Sequence, residues 1–170
     1  MKHLYFMRHG LSVMNMQGVF SGSIDTPLAE LGIKQCHLAA HHLNGVLIDA
    51  IVCSPMKRTV ESAKIICQEI SFPEEKIIVS ELFVERSFGP LEGTDYSTDL
   101  NLDQTGGVEH SSSLINRAQL GLDLLNSLEA DTILVVSHGA IGRALRHVIN
   151  PSLDYYHMAG FNNAEVVKLI

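Results

Sequence analysis

The chain has 170 residues, 46% of them hydrophobic, which is enough to fill one core and too few to divide comfortably into two. A single domain over residues 1–170 is expected. The formal charge of −7 at pH 7 excludes the broad Lys/Arg surplus on which general nucleic-acid and anionic-membrane binding depend. Any anion site must therefore be a local cluster of cations in an acidic protein.

Taken in chain order, the first segment with a clear pattern is Leu4–Met7, a short apolar and aromatic run. It is too short for a signal-peptide core, and an Arg-His-Gly turn follows at once, so it is expected to be the first strand. Pro27 to Leu43 carries apolar residues at helical spacing (Leu28, Leu31, Cys36, Leu38, Ala39, Leu43) and stops at Asn44-Gly45. Asp49–Cys53 reads as a second strand. Ser54-Pro55 then reads as an N-cap followed by proline at the first helical position, opening a helix to about Ile70. Lys76–Val79 is a further strand, and Ser80–Ser111, rich in Gly, Asp, Ser and Thr, interrupts the rhythm as a long functional loop. Helices are expected over Ser112–Leu128 and Ala140–Ile149, with a strand at Thr132–Val136 between them and an edge strand at Glu165–Ile170. This alternation predicts an α/β three-layer sandwich, with a mostly parallel central sheet flanked by helices.

Cys36, Cys53 and Cys67 are odd in number and scattered, a pattern of free thiols in a reducing compartment. No run approaches the roughly 18 apolar residues of a membrane span. A cytoplasmic location is expected.

In open α/β sheets, ligands bind beyond the carboxyl ends of the strands, where the following helices present free N–H groups and positive dipole ends. The first strand ends in Arg8-His9-Gly10, the second leads through Ser54-Pro55 to Lys57-Arg58, and another ends in Ser137-His138-Gly139. Two arginines and two histidines are thus expected at one edge of the sheet. That is a site for a doubly charged anion, with glycines allowing close backbone approach.

These residues carry a resemblance. Arg8-His9-Gly10 with Asn15 resembles the R-H-G-x-x-x-x-N signature of the histidine phosphatase (phosphoglycerate-mutase-like) superfamily, and Phe20-Ser21-Gly22, Asp25, Pro27-Leu28 and Gly32 are similar to its next block. Ser54-Pro55, Arg58 and Glu61-Ser62-Ala63 resemble S-P-x-x-R-x-x-E-T-A. Glu85, Phe88-Gly89 and Glu92-Gly93 resemble E-x-x-F-G-x-x-E-G, and Ser137-His138-Gly139 resembles S-H-G. Five blocks in family order span most of the chain. The resemblance implies a small phosphatase in which His9 becomes a phosphohistidine, Glu85 supplies the leaving-group proton, and Arg8, Arg58 and His138 bind the phosphoryl oxygens. No metal or organic cofactor is implied, and the expected partner is a small phosphorylated metabolite.

Asn15 and Gln17 are expected as polar contacts near the phosphate, and Gly22 as a backbone N–H donor. Arg86 matches a position that contacts substrate in the mutase branch, and pointing into the cleft it would favour a substrate with a second negative group. Three alternatives stand beside hydrolysis. A cofactor-dependent phosphoglycerate mutase would use longer insertions than the short stretch after Glu92-Gly93. A phosphohistidine-protein phosphatase would tend to lack the acid, and a noncatalytic phosphate-binding protein would not require His9. The trio His37, His41 and His42 lacks a partner Cys or carboxylate at ligand spacing and reads as a polar helix face. Ser137 lacks the glycine of a G-x-S-x-G elbow, and no G-x-x-x-x-G-K-[S/T] loop is present. Two departures from the family pattern stand out: Ala29 replaces a threonine suited to cap the first long helix, and Pro90-Leu91 replaces x-Trp. Substrate identity and oligomeric state stay open.

Overall fold

In the central strands successive side chains point to opposite faces, and nearly all of them are apolar, so the sheet must be covered on both sides. The computed structural model, which describes residues 1–96 and 100–170, shows how this is done. Among the described residues the strands are β1 (His3–Arg8), β2 (Ala50–Cys53), β3 (Ile78–Val79), β4 (Thr132–Ser137) and β5 (Val166–Lys168), in the spatial order β3-β2-β4-β1-β5. All pairings are parallel except β1 with β5, which is antiparallel.

Leu4 and Phe6 of β1, Ala50 and Val52 of β2, and Ile133 and Val135 of β4 join one core with α4 (Ser111–Ser127) and α5 (Gly139–Ile149). The alternate residues Met7, Ile51, Cys53, Leu134 and Val136 join a second core with α2 (Glu30–Ala40) and α3 (Lys57–Ile70). The result is the expected three-layer sandwich. Strand β4 is buried along its whole length, which explains why it reads as a continuous apolar run and not as an alternation.

The boundaries differ from the sequence reading in ways that have local causes. A four-residue helix α1 (Val13–Met16) was not expected; Ser12 and Asn15 close it with a reciprocal capping box. The helix expected from Pro27 begins at Glu30, because Leu28 is still in an isolated bridge to Ser12, and its end tightens into a 3-10 turn over His41–Leu43. The helix after β2 begins at Lys57, two residues later than Pro55 would have it. Ser54 is still hydrogen-bonded to the sheet through Val136 O, and Met56 is the N-cap with no side-chain bond. The strand at Lys76–Val79 is reduced to Ile78–Val79, its start taken by a 3-10 turn over Glu74–Lys76.

The described residues from Ser80 to His110 form 3-10 turns, irregular chain and one isolated bridge of Asp95 to Val19, and Ser111 already opens α4; residues 97–99 of that expected loop lie outside the described residues. Charged side chains hold it in place. Arg117 of α4 donates to the carbonyls of Leu82 and Val84 and pairs with Glu109 at 2.9 Å. Arg86 donates to Glu109 O and pairs with Asp103 at 2.6 Å. Glu92 accepts from the N–H groups of Ser23 and Phe88, which ties the loop to the segment after α1.

Candidate active site

Parallel register sets Arg8 opposite Ser137 and Cys53 opposite Val136. The pairing continues one step past the strands, with His9 N–H donating to Ser137 O at 2.9 Å and Ser54 N–H to Val136 O at 3.3 Å. Three chain segments therefore leave the sheet level with one another. His9, Arg58 and His138 meet where they leave it.

His9 is 3% exposed, and its Nδ1 lies 2.7 Å from Gly10 O. A carbonyl only accepts, so Nδ1 carries the hydrogen, and in the neutral ring Nε2 keeps its lone pair. Burial, followed by the nearby charges of Arg58 and Arg8, holds the imidazole pKa well below the usual histidine value. The ring is neutral at pH 7, with one nitrogen fixed and the other nucleophilic.

Arg58, at 1% exposure, donates from Nη1 to Ile24 O at 2.8 Å, from Nη2 to Gly22 O at 2.9 Å, and from Nε to His138 Nδ1 at 3.3 Å. A guanidinium has five N–H bonds, so two are left for a ligand. Burial lowers its pKa, with Glu85 and Asp25 pulling the other way. His138 is fully buried. Because Arg58 Nε donates to its Nδ1, its Nε2 carries the hydrogen and donates to Ser54 Oγ at 2.9 Å. Burial and Arg58 keep this ring neutral too. Both its nitrogens are thus engaged, and its ring packs edge-on against His9, centroids 5.1 Å apart. A direct bond from His138 to a phosphoryl oxygen, as the resemblance implies, requires one of these two bonds to open. Ser54 supports His138 and does not cap α3.

Arg8 donates from Nη1 to Phe161 O at 2.8 Å, while its Nε is buried without a partner among the described residues. Glu85 reaches the N-terminus of α5, where its oxygens accept from Ala140 N at 3.1 and 3.2 Å and from Ile141 N at 3.3 Å, and it also accepts from Arg86 N at 2.8 Å. Every one of these is a bond that a carboxylate accepts.

Of the residues singled out by sequence, Arg8, His9, Asn15, Gly22, Arg58 and Glu85 line one recess, with His138 directly behind. Asn15 serves the scaffold: besides the capping box it donates to Tyr96 Oη and accepts from Asn163. Gly22 contributes its carbonyl to Arg58, and its φ of +47° together with the adjacent Glu92 leaves no space for a side chain. Gln17 is exposed at the end of α1 and absent from the recess lining. Arg86 is buried and committed to Asp103 and Glu109.

The glycine of Arg8-His9-Gly10 has a packing reason. A Cβ there would lie 2.5 Å from Gly32 O in the first turn of α2, whereas one at Gly139 would make only ordinary contact with Arg8. Sequence reading passed over Ser21, a recess residue whose buried hydroxyl has no partner among the described residues; nothing in its block distinguishes its side chain from that of a turn residue. It also missed Asn163, which donates to His9 O at 3.1 Å. No local pattern marks that position.

Known proteins resemble this chain in sequence and in fold. The model of the histidine phosphatase superfamily (branch 1) matches residues 4–170. A Schizosaccharomyces pombe protein named as a probable phosphatase is 40% identical over 151 residues, covering 84% of this chain and 71% of the relative. The uncharacterized phosphatase PhoE of Bacillus subtilis is 31% identical over 143 residues, covering 82% of this chain and 72% of PhoE. The structure of mycobacterial glucosyl-3-phosphoglycerate phosphatase complexed with VO3 superposes with a TM-score of 0.84 at 22% identity, covering 99% of this chain and 92% of that one. The chain belongs to the histidine phosphatase superfamily.

Proposed function

We propose that this protein hydrolyses a small phosphate monoester through a phosphohistidine on His9. The observation that carries the reading is the state of His9: a buried neutral imidazole, tied through Nδ1 and flanked by two arginines, with Glu85 lining the same recess. In the first step the Nε2 lone pair attacks phosphorus and the bond to the ester oxygen breaks. Glu85, ionised in the free site, takes up a proton from water as the anionic ester binds and gives that proton to the departing alkoxide. Arg8 and the two unused N–H bonds of Arg58 take the equatorial oxygens on which charge spreads, and the orphaned Arg8 Nε and Ser21 Oγ are donors suited to the same oxygens. In the second step Glu85 accepts a proton from water, the water oxygen bonds to phosphorus, the N–P bond breaks, and inorganic phosphate leaves. His138 contributes by orienting Arg58, and the steps use no metal or organic cofactor.

The relatives named as phosphatases support hydrolysis over phosphoryl transfer between sugars or acids. The presence of Glu85 weighs against a phosphohistidine-protein substrate, whose leaving group needs less help. We read residues 1–170 as one such domain. We place it in the cytoplasm on the strength of three free buried thiols; among the described residues no helix is long and apolar enough to cross a membrane. The charge of −7 weighs against a nucleic-acid partner.

The test is to react the protein briefly with substrate and quench in alkali, where an N–P bond survives. Phosphate should be trapped on His9, and His9→Ala should give no adduct and little turnover. Phosphate trapped as a serine ester would overturn the assignment.

A further inference from the structure

A carboxylate that must reach a departing oxygen is aimed by the backbone that carries it, and the backbone of Glu85 lies outside the sheet. β3 ends at Val79, a 3-10 turn spans Glu81–Phe83, and residues 84–88 belong to no helix or strand. From Leu82 to Glu85 no carbonyl accepts from a backbone N–H of another described residue. Side chains hold them instead. Arg117 Nη1 donates to Leu82 O at 3.1 Å and to Val84 O at 2.7 Å, its Nη2 reaches Glu85 O at 3.4 Å, and Ser137 Oγ at the end of β4 donates to Phe83 O at 2.6 Å.

Arg117 is fully committed to this arrangement. Its other two N–H bonds, from Nε and Nη2, go to the Glu109 carboxylate at 3.2 and 2.9 Å, so all five donors of the guanidinium are in use. Glu109 in turn holds the chain beyond Glu85, its carboxylate accepting from Ser87 N at 3.3 Å and its carbonyl from Arg86 Nε at 2.7 Å. The Arg117 and Glu109 side chains are 18% and 19% exposed. In a site so shielded the planar fork fixes direction as well as charge, which an ammonium would not do.

Both ends of Glu85 are thereby referred to one layer. Its backbone hangs on Arg117 of α4, while its carboxylate accepts from Ala140 N and Ile141 N of α5. The two helices share one core, with Leu114 and Ala118 from α4 and Ile141 and Ala144 from α5. A change at Arg117 therefore moves the carboxylate against a fixed helix end. Misplacing a reacting group by about 1 Å costs on the order of a hundredfold in rate.

We propose that Arg117 is a positioning residue: through the carbonyls of Leu82, Val84 and Glu85 it sets where the Glu85 carboxylate stands relative to the ester oxygen of a substrate at His9. The inference rests on the hydrolytic reading, with Glu85 as its acid, and names the side chain that aims that acid.

Arg117→Lys keeps a charge opposite Glu109 but has three donors where five are used. In rapid-quench measurements, phosphorylation of His9 by glycerol 3-phosphate should slow by about tenfold to a hundredfold. With p-nitrophenyl phosphate, whose leaving anion needs little help from an acid, it should stay within about threefold. Placed in Glu85→Gln, the same substitution should cost the alkyl substrate less than about twofold more, because the proton it helps to aim is already gone. Equal slowing of both substrates, no slowing of the alkyl one, or a full further loss in Glu85→Gln overturns the proposal.

A second readout does not depend on turnover. The backbone amide NMR signals of Ala140 and Ile141 in Arg117→Lys should move part way from their wild-type positions toward those in Glu85→Ala, while those of Ala144 and Leu145 stay in place. Signals of Ala140 and Ile141 that do not move overturn the proposal. If the wild type turns over neither substrate, the hydrolytic reading fails; in that case, or if it acts on only one, these amide signals decide whether Arg117 places the carboxylate. Should Arg117→Lys not fold, Arg117→Gln combined with Glu109→Gln, which leaves no charge unpaired, takes its place in both measurements. Failure of both variants to fold makes the pair an element of the fold and overturns the positioning role.

Discussion

The floor of the site and its walls are built by different means. On the floor, His9, Arg58 and His138 leave the sheet at one level, and backbone carbonyls aim them: Gly10 O fixes His9, Ile24 O and Gly22 O fix Arg58, and Phe161 O fixes Arg8. The walls come from Ser80–Ser111 and from the segment after α5, irregular chain pinned by a few charged pairs such as Arg117–Glu109 and Arg86–Asp103. A transition state that spreads charge over three oxygens gains from donors oriented before it forms, and the strand ends together with these carbonyls provide that orientation. The leaving alcohol needs room and a selective contact, which loops supply without disturbing the chemistry beneath.

Glu85 stands where the two meet, since its backbone belongs to the wall while its carboxylate lies on the first turn of α5. Glu85→Gln is the largest expected effect in this comparison. The amide oxygen still accepts from Ala140 N, so the geometry is kept, but no proton is available for the alkoxide. Turnover of an alkyl phosphate should fall by about a hundredfold to ten-thousandfold. An aryl phosphate such as p-nitrophenyl phosphate departs as a stabilised anion and should lose much less. Rapid quench of the phosphorylation step is the proper measurement, because in the proposed mechanism Glu85 also assists water in the second step. Equal slowing of both substrates would make Glu85 a placing residue of the wall and leave the acid to be found elsewhere.

The same division explains what was legible in the sequence. Strand ends announce themselves by an apolar run that stops at Arg8-His9-Gly10 or Ser137-His138-Gly139, so the floor and the order of layers follow from local pattern. Register is what places these ends together, and alternation of buried residues specifies register well. The walls depend on contacts between segments distant in sequence. Nothing near Arg86 tells that Asp103 will neutralise it. Ser54 reads from sequence as a cap or as support for the site; the structure decides for support, because its hydroxyl meets His138, 84 positions away, besides accepting from Met56 N–H. Gln17 is expected from sequence as a polar contact near the phosphate, yet it is exposed at the C-cap of α1.

The burial of the floor has a consequence for stability. His9 and His138 both have pKa values held well below that of an exposed histidine, chiefly by burial. In the unfolded chain each takes up a proton as pH falls through about 6.5, while the folded protein does not until a lower pH is reached. The unfolded state therefore binds more protons in that window. Stability should be level above pH 7 and decline as pH falls below about 6.5, with a limiting slope of about 1.4 kcal/mol per pH unit for each ring. Urea denaturation between pH 5 and pH 8 measures this, and His138→Gln should flatten the decline. Stability that holds level down to pH 5.5 would mean that the rings accept protons within the fold.

The smallest effect concerns a place behind the floor where the scaffold lacks a contact it could have. Ala29 is the N-cap of α2, with φ −78° and ψ 161°, the extended conformation of a capping residue, but it has no side-chain oxygen to accept from the first-turn N–H groups. Its N–H donates to Leu11 O, and Gly32 one turn later packs against the backbone of Leu11, so this helix end supports the segment that follows His9. Ala29→Ser adds one oxygen with the geometry to accept from Leu31 or Gly32 N–H, which is worth about 1 kcal/mol. For a protein of this length that raises Tm by roughly 2–4 °C in a thermal scan. Because the floor is already oriented by sheet and carbonyls, kcat should stay within about twofold of wild type. A higher Tm with a clearly lower kcat would show that the floor relies on slack in α2, and the contrast between a rigid floor and adaptable walls would have to be redrawn. A lower Tm would show instead that the pocket around Ala29, only 7% exposed, has no space for the added oxygen.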